Sequence, residues 1–145
     1  MMTLFLGKTE KGDGRGKTLG FPTINIYLQN EGNMLELQKN SGVFLVNIFL
    51  FIDDKKIDFV GLLHLGSRPT FQEKEFRIEV FVLEKFTKNI DDNKYLVEIL
   101  SGTRVGFSIV EKLRDVINFD SVEKLVEQIK KDVKLSEKII LNNIK

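Results

Sequence analysis

Gly42-Val43-Phe44-Leu45-Val46-Asn47-Ile48-Phe49-Leu50-Phe51-Ile52, then Asp53-Asp54-Lys55-Lys56, then the apolar run Ile57 to Leu65, decides the fold class. The first run is nearly continuous in apolar residues and is bounded by Asn40-Ser41 and by the acidic pair. Its β-branched and aromatic content and its polar borders predict a strand. Four polar residues then turn the chain back, so the two runs read as a hairpin. Neither run is followed by an amphipathic segment of helix length. A parallel sheet with crossover helices is therefore excluded, and an antiparallel barrel or sandwich is expected.

The flanks agree. Phe21 to Leu28 alternates, with Ile24, Ile26 and Leu28 on one side and Thr23 and Asn25 on the other. Phe76, Ile78, Val80 and Val82 alternate with Arg77, Glu79 and Phe81, and Val105, Phe107 and Ile109 repeat the pattern. The C-terminal part changes period. Val122, Leu125, Val126, Ile129 and Val133 recur at helical spacing behind a capping-box pattern, Asp120 with Glu123. Ser136 is expected to cap a second short helix carrying Ile139, Ile140 and Ile144. Residues 87–99 fit neither period and read as an excursion between strands.

Composition bounds the chemistry. A chain of 145 residues, 42% hydrophobic and 30% charged, reads as a single globular domain over 1–145. Its net charge of +1 gives no electrostatic footprint for nucleic acid or an anionic membrane. It has no cysteine and one histidine, which excludes disulfides, thiolate metal sites, cysteine catalysis and a histidine-rich metal centre. No apolar run is long enough for a transmembrane helix, and the N-terminus lacks the basic region of a signal peptide, so a cytoplasmic location is expected.

Three segments carry chemistry. Gly12-Asp13-Gly14-Arg15-Gly16-Lys17-Thr18 is glycine-rich, and clustered glycines let backbone N–H groups approach phosphates. It is not a Walker A loop, because Lys11 stands where the first glycine is required and a strand, not a helix, follows. A hairpin turn and a phosphate-cradling loop of another kind both remain open. Next, Pro22 sits at a strand entrance, and Thr23 and Asn25 project to one face about 7 Å apart. A hydroxyl and an amide oxygen are hard neutral donors that suit Mg²⁺ carried by a nucleotide; they equally suit a solvated strand face. Third, Glu79 interrupts an apolar strand, either as an exposed partner of Arg77 or as a general base in a cleft. His64 reads as structural or pocket-lining, and Arg68 as a turn residue that either meets a phosphate or makes a rim salt bridge.

These pieces occur in a recognisable order. Leu19-Gly20-Phe21-Pro22-Thr23-Ile24-Asn25 behind the glycine-rich loop is followed by Ser41-Gly42-Val43-Phe44, Leu65-Gly66-Ser67-Arg68-Pro69-Thr70-Phe71 and Ile78-Glu79-Val80. Leu113-Arg114-Asp115, Asn118-Phe119-Asp120-Ser121 and the helix segment from Leu125 to Asp132 complete the series. Over about residues 7–134 the chain resembles the riboflavin kinase domain, free-standing or as the C-terminal half of bifunctional FAD synthetases. The resemblance implies a mainly β fold, a six-stranded antiparallel Greek-key barrel with a C-terminal helix. It implies phosphorylation of riboflavin by Mg²⁺-ATP to give FMN and ADP, with a separate or upstream FMN adenylyltransferase as partner. It makes Glu79 the catalytic base and Thr23 and Asn25 the metal residues. It places Gly12, Gly14, Gly16, Lys17, Gly20, Val82, Glu84 and Ser101 at the nucleotide, and Arg114, Ile117 and Phe119 at the flavin. The alternative expectation is a flavin- or nucleotide-binding module of the same fold. The chain departs from the family pattern at Phe44 (usually Tyr), His64 (usually small and polar), Ser101 (usually Tyr) and Val116 (often acidic), and by about ten additional residues within 87–99.

Overall fold

In a computed structural model, residues 3–10, 23–52, 54–67, 76–83 and 102–143 are described. The strands are β1 (Leu4–Glu10), β2 (Thr23–Leu28), β3 (Gly42–Ile52), β4 (Lys55–Ser67), β5 (Phe76–Val82) and β6 (Arg104–Arg114). Among the described residues two helices accompany them, α1 (Glu31–Gln38) and α2 (Val122–Asn143). The strands close into an antiparallel barrel in the order β1-β2-β5-β4-β3-β6. β3, β4 and β5 form a meander, and the strands adjoining it in sequence, β2 and β6, return to flank its far edges, which is Greek-key connectivity. Closure leaves no strand at an edge.

Alternation explains the barrel interior. Ile24, Ile26 and Leu28 from β2, Phe44, Val46, Ile48 and Leu50 from β3, and Leu63, Leu65, Ile78, Val80, Val82, Val105 and Phe107 from the others form one buried cluster. Phe5 and Phe107 stack within it, ring centroids 5.2 Å apart. The β3–β4 hairpin turns at Asp54, whose φ of 64° lies in the left-handed region that a short acidic side chain tolerates.

Part of the outer wall is covered by α2. Val43, Leu45, Leu62 and Leu83 form a second buried cluster, against which Val133, Ile139 and Ile140 of the helix pack. Among the described residues no helix is long and apolar enough to cross a membrane.

The helix differs from the expected pattern in two ways. Its cap is Ser121, whose Oγ accepts from the Lys124 N–H at 3.2 Å, while Asp120 instead forms an exposed ion pair with Lys124 at 3.1 Å. A hydroxyl one residue nearer the first turn reaches the free amide, and the carboxylate is left to solvent. Nor is there a break at Ser136: α2 runs unbroken to Asn143. Ser136 is fully buried and donates from Oγ to the Asp132 carbonyl at 2.8 Å, so its hydroxyl is satisfied one turn back and caps nothing. Helix α1 arises without apolar periodicity. It is capped by Asn30, whose Oδ1 accepts from the Asn33 N–H at 3.0 Å, and anchored by buried Leu37.

Candidate active site

Register assembles the site. On the outer wall Asn25 of β2 lies directly opposite Glu79 of β5. Glu79 in turn opposes His64 of β4. His64 opposes Val43 of β3, and Val43 opposes Arg114 of β6. Opposed residues share a face, so Asn25, Glu79, His64, Val43 and Arg114 form one transverse row across five strands. Thr23 starts the adjoining row, opposite Phe81, which itself opposes Leu62.

The row reaches Arg114 only through an irregularity. Phe44 pairs with Lys112, yet Val43 pairs with Arg114, a register shift of one residue. Such a bulge re-aims the side chain at a strand end. Without it Leu113 would stand opposite Val43. Gly42 makes room beside this bend: its φ is +142°, and a Cβ there would come within 2.7 Å of the Arg114 carbonyl oxygen.

Over the row lies a cleft of about 70 Å³. Val43, Leu62, His64, Glu79, Phe81 and Arg114 supply its barrel wall, and Leu125, Ile129 and Asp132 of α2 its roof. Glu79, placed by the sequence either in solvent or in a cleft, lies in the cleft. His64 lines it, as expected.

An ion pair joins wall to roof. Arg114 donates from Nε to both Asp132 oxygens at 3.0 Å and from Nη2 to Oδ2 at 2.9 Å. Gln128 adds an Nε2 contact to Asp132 Oδ1 at 3.1 Å, and Arg114 Nη1 donates to the Asp115 carbonyl at 3.1 Å. The two side chains are only 14% and 4% exposed. A planar guanidinium meeting a carboxylate through two of its nitrogens fixes both in orientation.

Of the residues expected at the flavin, Arg114 is thus engaged with the helix and also lies 6.0 Å from the Phe119 ring centroid. Phe119 is half-buried, and Ile117 is exposed just beyond the strand. Val82 turns its side chain into the barrel core and is buried there. Gly12, Gly14, Gly16, Lys17, Gly20, Glu84, Ser101, Pro22, Arg68 and residues 87–99 lie outside the described residues. Sequence reasoning did not assign Asp132 or Gln128 to the site. Asp132 carried a signal all the same: it stands on the apolar stripe of the helix with Leu125 and Ile129, where an unpaired carboxylate would be costly.

Comparison with known proteins follows this geometry. The family model of riboflavin kinase, Flavokinase, matches residues 2–140. The bifunctional riboflavin kinase/FMN adenylyltransferase of Buchnera aphidicola is 32% identical over 91% of this chain and 37% of its own length. The riboflavin kinase of Meyerozyma guilliermondii is 25% identical over 90% of this chain and 79% of its own length. The crystal structure of riboflavin kinase from Trypanosoma brucei shares the fold, with a TM-score of 0.66 at 21% identity over 95% of this chain and 79% of that one. The chain spans 37%, 49% and 36% of the length of three curated relatives it matches, including the Buchnera protein. With barrel, helix and motif order all in agreement, the chain belongs to the riboflavin kinase family.

Proposed function

We propose that the chain transfers the γ-phosphoryl group of ATP to the 5'-hydroxyl of riboflavin, giving FMN and ADP, with Glu79 as base. The observation that carries this reading is the row itself. A carboxylate that lines the cleft roofed by α2 stands directly opposite a neutral oxygen donor, Asn25.

Thr23 and Asn25 fit a metal that arrives on the nucleotide. They are half-buried oxygen donors on one face, next to Glu79, and the described residues hold no cluster of three or more acidic or histidine side chains. Two neutral ligands leave room for waters and phosphate oxygens. When bound, Mg²⁺ neutralises charge on the phosphates.

The remaining work belongs to the chain. Glu79 accepts the proton of the 5'-hydroxyl and orients that oxygen for in-line attack. The oxygen–phosphorus bond forms as the bond to the bridging oxygen of ADP breaks. Backbone amides of Gly12, Gly14, Gly16 and Gly20, with Lys17, spread the phosphate charge. The family resemblance assigns Val82, Glu84 and Ser101 to the nucleotide base. Arg114, Ile117 and Phe119 border the flavin side, where the Arg114–Asp132 pair holds the roof in place. FMN then suits an FMN adenylyltransferase, an activity named in the Buchnera relative.

The test is FMN formation from riboflavin and Mg²⁺-ATP. Glu79→Gln should lower kcat by about 10²-fold or more while flavin fluorescence is still quenched on binding. Unchanged turnover would remove Glu79 from this role. Quenching without any product from the unaltered protein would leave a binding module.

A further inference from the structure

The single histidine of the chain stands beside the carboxylate the proposed reaction needs. His64 and Glu79 are directly opposed across β4 and β5. Opposed residues on one face hold their Cβ atoms about 5 Å apart, within reach of an imidazole–carboxylate hydrogen bond. Both line the same cleft. Val43, on the other side of His64, is buried and apolar, so Glu79 is the polar group that β5 and β3 together offer the ring at this level.

Among the described residues, the other charges near the ring are Arg114, Asp132 and Arg77. Arg114 of β6 lies beyond Val43 and is held by Asp132 of α2, so these two largely cancel as seen from His64. Arg77 of β5 opposes Gly66, one pleat period away from the His64 level. Leu125 and Ile129 of the roof are apolar.

We propose that His64 is a positioning residue for Glu79, its imidazole holding the carboxylate toward the cleft in the orientation that accepts the substrate proton. The proposal rests on the reading of Glu79 as base. It makes the base of this chain half of a side-chain pair. A lone strand carboxylate would be free to swing between cleft and solvent, whereas one anchored by a ring nitrogen loses that freedom. Misplacing a catalytic group by an ångström costs rate rather than substrate affinity.

Because the chain has one histidine, its ring Cε1–H proton gives a single NMR signal that can be followed through a pH titration. A neighbouring carboxylate favours the charged imidazole. Glu79→Gln should therefore move the His64 midpoint to lower pH by about half a unit or more. An unmoved midpoint overturns the proposal, whether or not the protein turns over riboflavin. In kinetics, His64→Ala should lower kcat about 10-fold with little change in riboflavin KM, and His64→Gln, which retains a donor, should recover much of it. An Ala variant with wild-type kcat also overturns the proposal. Absence of FMN from the unaltered protein counts against the kinase reading alone, since the titration still decides whether the pair exists.

Discussion

The strands that build the cleft have two faces that obey different rules. Inward, Ile24, Val80, Leu63 and Phe44 meet other apolar side chains, and volume is the main requirement. Outward, Asn25, Glu79 and His64 from three of these strands and Arg114 from β6 meet in one row, and a register slip of one residue would scatter them. The interior holds the barrel closed. The outer wall carries the candidate site, part of it under α2. Among the described residues, Leu6 and Tyr27 on that wall are each 55% exposed.

The largest effect should come from the inner face. Phe107 is fully buried and stacked on Phe5. Phe107→Ala should cost about 3–5 kcal/mol, measured by denaturant unfolding, because the barrel wall cannot collapse into the void. A loss below about 1 kcal/mol would mean that the interior is loosely packed and the contrast between faces is false.

Asp132→Ala comes next. It strands the Arg114 guanidinium, which is only 14% exposed, and should cost about 3 kcal/mol in the same assay. The double variant Arg114→Met with Asp132→Leu should recover much of this loss, since an apolar pair of similar volume can replace a buried ion pair. If it does, the pair serves orientation in the cleft more than stability. Riboflavin quenching by the double variant then reads that orientation directly.

How far the sequence went follows the same division. The interior was legible because alternation is local: Phe44, Val46, Ile48 and Leu50 announce their own face, and Asp53-Asp54 announces the turn. Motif order made the candidate residues Thr23, Asn25 and Glu79 legible too. Their assembly was not. Glu79 in an alternating strand looks the same facing solvent or a cleft until the registers of β2, β4 and β5 are known. Arg114 reaches the row through a bulge, which no period reveals. Ser136 resembled a cap because serine favours caps, but its hydroxyl bonds back to Asp132 inside a continuous helix.

The smallest effect sharpens the contrast around β6. Lys112 and Asp115 form an ion pair at 2.7 Å next to the Arg114–Asp132 pair, but with side chains 47% and 86% exposed. The hydrogen bond from Lys112, reinforced by its charge, holds the Asp115 carboxyl below the usual carboxylate value. A carboxyl lowered in the folded state adds stability above its unfolded value, and that stability disappears as pH falls through the folded one. Water screens this pair, so Lys112→Ala should move Tm at neutral pH by no more than about 2 °C. The variant and the parent should converge as acid protonates Asp115. A neutral-pH loss rivalling that of Asp132→Ala would show that the strand end beyond the bulge, not the buried pair, fixes Arg114 in the row.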